Sequence, residues 1–544
     1  MGTEIGVGDG KRTDSGGATG LCGRAMKSLA WLTGVVAPAV LLAAPWLDER
    51  LVPMSWLGVA AGLMLACGRA GWRGEVAVLA GAVLVITLAF HWAPAVLAEA
   101  MRTSTFYGFA FAVPIVIWDA CRLALPFWVV GRMCRDPREA WLPAGLVAVV
   151  TESLIPSVFP WKFGYSQLAW PAAVQVAALG GPEAPTFTLF ATAGSIVAVA
   201  VAFGPGGDRR LTPPAVAALL VAAANLGWGA LAIHQTEARM AAAPQVRLAL
   251  VQANPEAAGG IDSLRRLTRA ACAGPSPPDL VCWPECSGGS YEEGLDAFAD
   301  EATVFRRSRD PQRGLRPLAD PSCPLLLGGR IYRGFPERPR QIFQAAILID
   351  TAERLAGVSQ KRHLMPFGEY VPFAELIPEL RLSFPLETTY AVGTAAGPLT
   401  SGPARIGALL CYEDMVPSAA ASLVADSANL LVSLMHGAAF TNPLTLRQHR
   451  LLAQQRAIEC RRCLVRCGST GETCVIDAAG RISSRLPLEG EGVLVADVPL
   501  LEQTTATVAW QQAFPAACAL ALVGLVVRGR LRGLGGLAAP EASG

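Results

Sequence analysis

Apolar stretches of membrane-crossing length recur through the first half of this 544-residue chain, near 28–46, 54–68, 75–96, 105–130, 139–157, 186–204 and 213–234, with one more near 506–527. A helix needs about 20 apolar residues to cross a bilayer core, and a longer or shorter one tilts or is accommodated. About eight spans are therefore expected. The connecting charges test that count. Lys11, Arg12, Arg24 and Lys27 precede the first stretch. Arg69 and Arg73 follow the second, Arg132, Arg135 and Arg138 the fourth, Arg209 and Arg210 the sixth, and Arg528, Arg530 and Arg532 the last. The intervening loops are poorer, with Arg50 beside Asp48 and Glu49, and Arg102 near Glu99. Positive charge on alternate loops places those loops and the N-terminus in the cytoplasm. Seven spans then deliver residues 240–500 to the outer side, and an eighth returns the tail.

Composition agrees, at 52% hydrophobic and 16% charged. A net charge of +2 and the lack of any Lys/Arg-rich block argue against nucleic-acid binding. Fourteen cysteines are spread over both halves and form no small disulfide framework. Cys460, Cys463 and Cys467 have metal-like spacing but lack a second ligand pair, so no metal site is expected. Residues 1–26 are Gly/Ser/Thr-rich and read as a disordered cytoplasmic tail without the form of a cleavable signal peptide. The expected plan is a transmembrane domain at 27–238, a catalytic domain at 245–500, a final span at 505–528 and a cytoplasmic tail at 529–544.

From Val246 the pattern changes to short apolar runs: 247–254, 279–285, 324–333, 343–350, 405–413, 429–435, 463–469, 473–480 and 492–499. Amphipathic helical patterns lie between several of them, notably 444–461. Strands apolar on both faces, alternating with helices, predict a layered α/β domain. Two of these runs, and one further strand end, carry a reactive side chain. Arg405–Val416 reads RIGALLCYEDMV, a buried strand turning abruptly at Cys411. A thiol held at such a turn is a nucleophile if a base takes its proton, and a packed core cysteine if not. Asp279–Glu285 reads DLVCWPE and ends in a carboxylate. Ser359–Pro372 reads SQKRHLMPFGEYVP, placing Lys361 at a strand end and Glu369 in a Pro/Gly-rich loop.

Glu, Lys and Cys in this order, each closing a strand, resemble the Glu-Lys-Cys triad of the nitrilase superfamily. HLMPFGEYVPF together with LLCYEDM resembles its membrane-bound branch, the apolipoprotein N-acyltransferases. FPWKFGYSQ, at 159–167, is similar to a stretch in the membrane half of that family; as aromatics near a boundary, these residues also read as interfacial anchors. The resemblance implies an α-β-β-α sandwich carried by a polytopic α-helical membrane domain, in a bacterial inner membrane with the catalytic domain on the periplasmic side. It implies Cys411 as nucleophile, Glu285 as base and Lys361 as oxyanion partner. Glu369 would orient Lys361, and Tyr412 and Glu413 would position acyl carbonyl or amine. The implied reaction moves a fatty acyl chain from a membrane phospholipid, through a Cys411 thioester, to the N-terminal amine of a diacylglyceryl-cysteine lipoprotein. No metal or organic cofactor is implied, and a monomer is expected.

Other positions depart from the family wording. His436-Gly437-Ala438-Ala439-Phe440 stands where Asn-Asp-(Ala/Gly)-Trp-Phe is usual, Gly468-Ser469-Thr470-Gly471 replaces an Asn-rich turn, and Gln344-Ala345 replaces Asn-Ser. The Trp usual after the first strand is absent from VQANPEAAGG. His436 reads as a loop histidine without a role. These changes leave open a divergent membrane amidase or acyltransferase acting on another amine, of the kind found in conjugal-transfer systems. A non-catalytic scaffold would not need all of Glu285, Lys361 and Cys411. A transporter would carry more intramembrane charge than Asp119, Arg122 and Glu152. The loop near Glu369 is expected to act as a lid that dips Phe367 and Tyr370 into lipid.

Overall fold

The computed structural model describes residues 34–536, apart from 69–70, 101–103, 288–289, 294–322, 334–340, 353–354, 384–388, 395–396 and 438–441. The expected tail at 1–26 and the segment 438–440 of the altered motif lie outside the described residues. Among the described residues, five helices are long and apolar enough to cross a membrane: Glu49–Gly68, Trp72–Ala89, Thr105–Met133, Ala184–Phe203 and Pro213–Ala242. Gly34–Leu47, Trp141–Leu154 and Ala513–Arg528 are apolar but shorter. The helix Trp141–Leu154 has 14 residues, roughly 21 Å, against a hydrocarbon core of about 30 Å. On Thr105–Met133, Phe106, Phe109, Val113 and Ile117 are exposed while Asp119 and Arg122 are buried. That stripe, at helical spacing, inverts the soluble pattern and suits lipid.

Two apolar stretches divide differently from expectation. The run near 75–96 breaks after Ala89, and a short helix restarts at Ala93–Ala100, with Pro94 at its second position where a missing N–H is tolerated. Phe90 and Trp92 occupy the break, and Phe90 stacks with Trp46 and Trp161. The aromatic loop at 159–167 is not a surface anchor. Trp161, Phe163 and Tyr165 are buried, and so are Lys162 and Gln167. Glu152 accepts from the Phe163 amide at 2.6 Å and the Thr186 hydroxyl at 2.8 Å, while Arg122 donates to the Trp161 carbonyl at 3.1 Å. The buried charges Arg122 and Glu152 thus hold this loop inside the helical bundle.

The long helix Pro213–Ala242 runs, after Ala243 and Pro244, into the first strand of the second half. Among the described residues thirteen strands follow: β1 (Gln245–Gln252), β2 (Leu280–Cys282), β3 (Ser290–Glu293), β4 (Leu325–Arg333), β5 (Gln341–Ile349), β6 (Leu355–Gln360), β7 (Leu399–Ser401), β8 (Ala404–Leu410), β9 (Leu430–Met435), β10 (Leu464–Gly468), β11 (Cys474–Ile476), β12 (Ile482–Arg485) and β13 (Gly492–Pro499). One sheet has the order β13-β1-β2-β4-β5-β6, with β3 beside β4, and the other β12-β11-β10-β9-β8-β7. Alternation explains the layering. Leu248 and Leu250 of β1 meet Ala408, Leu410, Val432 and Val465 between the sheets. Ala249 and Val251 face outward under the helix Gly260–Cys272. Leu409, Leu431 and Leu464 face the helices Pro417–Ala425 and Pro443–Cys460 on the other side. Cys463 and Cys467 fill the inter-sheet core, and Cys460 the outer layer.

The helix Pro443–Cys460, expected to be amphipathic, is buried almost all round although rich in Gln, His and Arg. It lies between the second sheet and the membrane helices, so its polar side chains meet polar partners instead of water. Gln448 accepts from Trp92 Nε1 at 2.9 Å and donates to the Trp46 and Ala89 carbonyls. Arg450 pairs with Glu49 at 2.6 Å, and Arg456 donates to the Tyr165 hydroxyl at 2.7 Å. The two halves are therefore joined by desolvated hydrogen bonds, which fix their relative orientation more strictly than greasy contact would.

Candidate active site

Three strand ends carry the expected reactive residues. After β2, Trp283 is buried and its Nε1 donates to Thr268 Oγ1 at 2.8 Å, so the chain enters Pro284-Glu285 from a fixed point. Gly328 on β4 lets that segment pass: a Cβ there would lie 2.6 Å from Glu285 Cα. After β6, the Lys361 amide donates to the Gln344 carbonyl at 2.8 Å, and the side chain is fully buried. After β8, Cys411 opens a tight turn over Cys411–Met415 with φ of +47°. A non-glycine residue in the left-handed region is strained and must be held there by its surroundings.

The Lys361 ammonium binds three oxygens: Glu369 Oε1 at 2.6 Å, Gln344 Oε1 at 3.3 Å and Glu285 Oε1 at 3.5 Å. Glu369 is held in turn by the Met365 amide, 2.8 Å from its Oε2. Cys411 lies within charge reach of Glu285, Lys361, Glu369 and Asp414. Burial, then the Glu285 carboxylate, pushes the thiol well above its ordinary value, with Lys361 opposing. Burial likewise raises Glu285 against the pull of Lys361. Burial alone would depress Lys361, but Glu285 and Glu369 override it and hold the ammonium charged. The arrangement is a half-buried thiol, a carboxylate short of hydrogen bonds, and a cation fixed between two carboxylates. It suits proton transfer between thiol and Glu285 and charge stabilisation by Lys361.

Glu413 and Tyr412, expected to position acyl carbonyl or amine, both also brace the Cys411 turn. Glu413 Oε1 accepts from the Arg362 and His363 amides at 2.8 and 3.1 Å, and Oε2 from the Leu410 amide at 3.1 Å. Burial would raise this carboxylate; the bonds from His363 and the backbone, with the Lys361 charge, hold it low. It staples the Cys411 turn to the Lys361 loop. The Tyr412 hydroxyl donates to the Val158 carbonyl at 2.9 Å, tying the same turn to the membrane half.

The sequence reading passed over a buried cluster beneath the turn. Asp414 Oδ1 meets His449 Nε2 at 2.7 Å, and Oδ2 accepts from Ser433 Oγ at 2.7 Å and Arg466 Nε at 3.1 Å. Burial opposes ionisation here, yet His449 and Arg466 draw Asp414 down to about 2. The signal was present as an acid three residues after the cysteine and a charged helix too polar for a core. His436, read as idle, is also near the site: its Nε2 lies 3.4 Å from Glu256 and its Nδ1 3.4 Å from Ser469 Oγ.

Two cavities meet at the Lys361 loop. A narrow apolar cleft is lined by residues of the helical half, among them Phe90, Val96, Val116 and Phe159, and closed by Met365 and Phe367. Cys411 packs on a small cluster of Met435 and Leu446, as does Val96 of the cleft lining. A larger, more open and more polar cavity is lined in part by Arg362, His363, Tyr370, Arg381 and Tyr412. The expected lipid-dipping pair is thus occupied elsewhere: Phe367 faces the apolar cleft and Tyr370 the polar one. The exposed apolar side chains of the loop are Phe373, Leu376 and Ile377. Among the described residues no group of His, Cys, Asp and Glu is arranged to hold a metal.

Residues 247–506 match the carbon-nitrogen hydrolase family model. The chain is 28% identical over 496 residues to an apolipoprotein N-acyltransferase of Geobacter metallireducens, covering 86% of this chain and 89% of that one. It is 32% identical over 428 residues to the enzyme of that name from Azotobacter vinelandii, covering 74% and 76%. Against that of Pseudomonas putida it is 29% identical over 430 residues, covering 75% and 79%. The similarity runs through the helical half as well as the two-sheet domain, and the chain belongs to the apolipoprotein N-acyltransferase family.

Proposed function

We propose that this protein transfers a fatty acyl chain from a membrane phospholipid to the N-terminal amine of diacylglyceryl-cysteine lipoproteins through a thioester on Cys411. The observation that carries the reading is an apolar cleft built largely from the long apolar helices and closed by Met365 and Phe367 of the Lys361 loop; Val96 of its lining packs on the same small cluster as Cys411. A soluble-amide hydrolase has no use for such a cleft, whereas an acyl chain needs one. The relatives' printed name supports the same reaction class.

In the first half-reaction Glu285 takes the Cys411 proton as sulfur attacks the ester carbonyl. Lys361, held by Glu369, stabilises the oxyanion. Glu285 then returns the proton to the departing lysophospholipid oxygen, leaving the thioester. In the second, the acceptor amine attacks the thioester carbonyl, Glu285 receives a proton from nitrogen, and the Cys411 thiolate leaves and is reprotonated. The chain would cross the inner membrane about eight times, the five long helices supplemented by the three shorter ones. Residues 245–500 would stand on the periplasmic side, as the alternate-loop charges require. A radiolabelled phospholipid, incubated with detergent-purified protein and a synthetic diacylglyceryl-cysteinyl peptide, tests this. Label should move to the free-amine peptide and not to its N-acetylated form. Label released as free fatty acid, with none on the peptide, would replace transfer by hydrolysis.

A further inference from the structure

The aminolysis half-reaction has a proton to dispose of that the triad does not accommodate. An α-amino group with a pKa of about 7.7–8.0 is mostly ammonium at neutral pH, with roughly one molecule in ten neutral at pH 7 and one in a hundred at pH 6. To become an amide nitrogen it must lose two protons. Glu285 returns only one of them to the leaving Cys411 thiolate. A second acceptor is needed near the thioester, with a route to solvent.

We propose that His436, braced by Glu256 and Ser469 beside Glu285, takes the first proton from the acceptor's ammonium group and passes it to solvent. This rests on the acyltransfer reading above and deepens it. Strand register places the residue. Leu410 pairs with Leu434, so Cys411 comes alongside Met435, and His436 is the next residue. Gly468 pairs with Met435, which brings Ser469 alongside His436, and the Ser469 amide extends the ladder to the Met435 carbonyl at 3.1 Å. The His436 ring has an oxygen near each nitrogen, the Glu256 carboxylate at 3.4 Å and the Ser469 hydroxyl at 3.4 Å, so an imidazolium formed there finds a partner on both sides. Ser469 is itself fixed by the Gly437 amide at 3.2 Å.

The three acid–base groups also grade from interior to surface. The side chain of Glu285 is 7% exposed, that of His436 18% and that of Glu256 48%. Such a gradient leads outward from the buried base. The ionisable groups facing His436 are Glu256, on the loop after β1, and Glu285, on the loop after β2; Lys361 and Glu369 stand beyond Glu285. The protons balance. One passes from ammonium to His436 and on to water, one goes through Glu285 to the Cys411 sulfur, and one stays on the amide nitrogen.

The test separates the two half-reactions in full-length protein from pH 6 to 9. Thioester formation is followed by mass with a defined phospholipid alone. Its decay is then followed on adding a synthetic diacylglyceryl-cysteinyl peptide. In His436→Asn the ratio of aminolysis to acylation should fall about tenfold at pH 7 and further at pH 6, and recover toward wild type at pH 9, where the amine is already neutral. Glu256→Gln, at a half-exposed position, should move the same ratio in the same direction by less. A wild-type ratio at every pH in both variants would overturn the proposal. So would equal loss of both half-reactions with no recovery at high pH, which marks a merely structural effect. A wild-type protein that forms no thioester would instead overturn the acyltransfer reading, and this inference with it.

Discussion

Glu285 and Asp414 are both buried carboxylates, both act on the same cysteine, and their surroundings treat them in opposite ways. Asp414 has donors on both oxygens at 2.7 to 3.1 Å and is pulled down to about 2. Glu285 Oε1 is approached, among the described residues, by the Lys361 ammonium at 3.5 Å, and burial pushes this carboxylate up. A carboxylate saturated with donors stays ionised and serves as an anchor. One left short of them can take and return a proton. On the proposed mechanism, the difference puts the chemistry on one side of Cys411 and the support of its strained turn on the other.

The largest expected effects would break that division if they fell the wrong way. Cys411→Ala and Glu285→Gln should each lower acyl transfer by about a thousandfold or more, with the melting temperature in detergent within about 2 °C of wild type. Asp414→Asn should do the reverse. It strands His449 and Arg466 with less compensation, at a cost of about 3–5 kcal/mol, and the activity per folded molecule should fall less than in Glu285→Gln. Equal melting losses in the two carboxylate variants would erase the contrast.

Titration sharpens the same point. Because Glu285 is raised, the acid limb of kcat/KM should lie above the ordinary carboxylate value of about 4.3, with activity gained as pH rises through it. Asp414 is depressed, so its contribution to stability is full above its unfolded value of about 4 and is lost as pH falls from there toward 2. Wild type should therefore lose activity on acidification before it loses its fold. Asp414→Asn should lack the stability loss between about pH 4 and 2. Circular dichroism and initial rates over the same pH series check both.

Smaller effects concern how the turn meets the membrane half. Tyr412→Phe removes the bond to the Val158 carbonyl and should cost about 1 kcal/mol of stability, read as a small shift of the melting midpoint. Replacing Phe373, Leu376 and Ile377 together by Ser should slow transfer a few-fold with vesicle-borne donor and leave a short-chain soluble thioester donor unaffected. Equal slowing with both donors would locate the defect in the site instead of at the lipid surface.

Much of this was legible in the sequence for a simple reason: strands that end in reactive residues announce themselves locally. The runs ending at Glu285, Lys361 and Cys411 became β2, β6 and β8, and a strand's apolar run needs no distant partner to be recognised. The Asp414 cluster was hidden because its partners lie 19, 35 and 52 residues away, on β9, the helix Pro443–Cys460 and β10. The aromatic loop at 159–167 was left between two readings because aromatics near charges look the same at a lipid interface and in a buried joint. What decides between them is Arg456, almost three hundred positions later, reaching the Tyr165 hydroxyl. Phe367 and Tyr370 were read as exposed because loop aromatics flanked by Pro and Gly give no sign of the cavities beneath them.

The central claim is that Cys411, with Glu285 as its base, carries an acyl group taken from lipid. Purified protein incubated with one defined phospholipid and no acceptor, then digested and weighed, addresses it directly. The account predicts a fatty-acyl mass increment on the Cys411 peptide that hydroxylamine removes, absent in Cys411→Ser and strongly slowed in Glu285→Gln. An unmodified Cys411 peptide across several phospholipids, or an increment undiminished in Glu285→Gln, would contradict it.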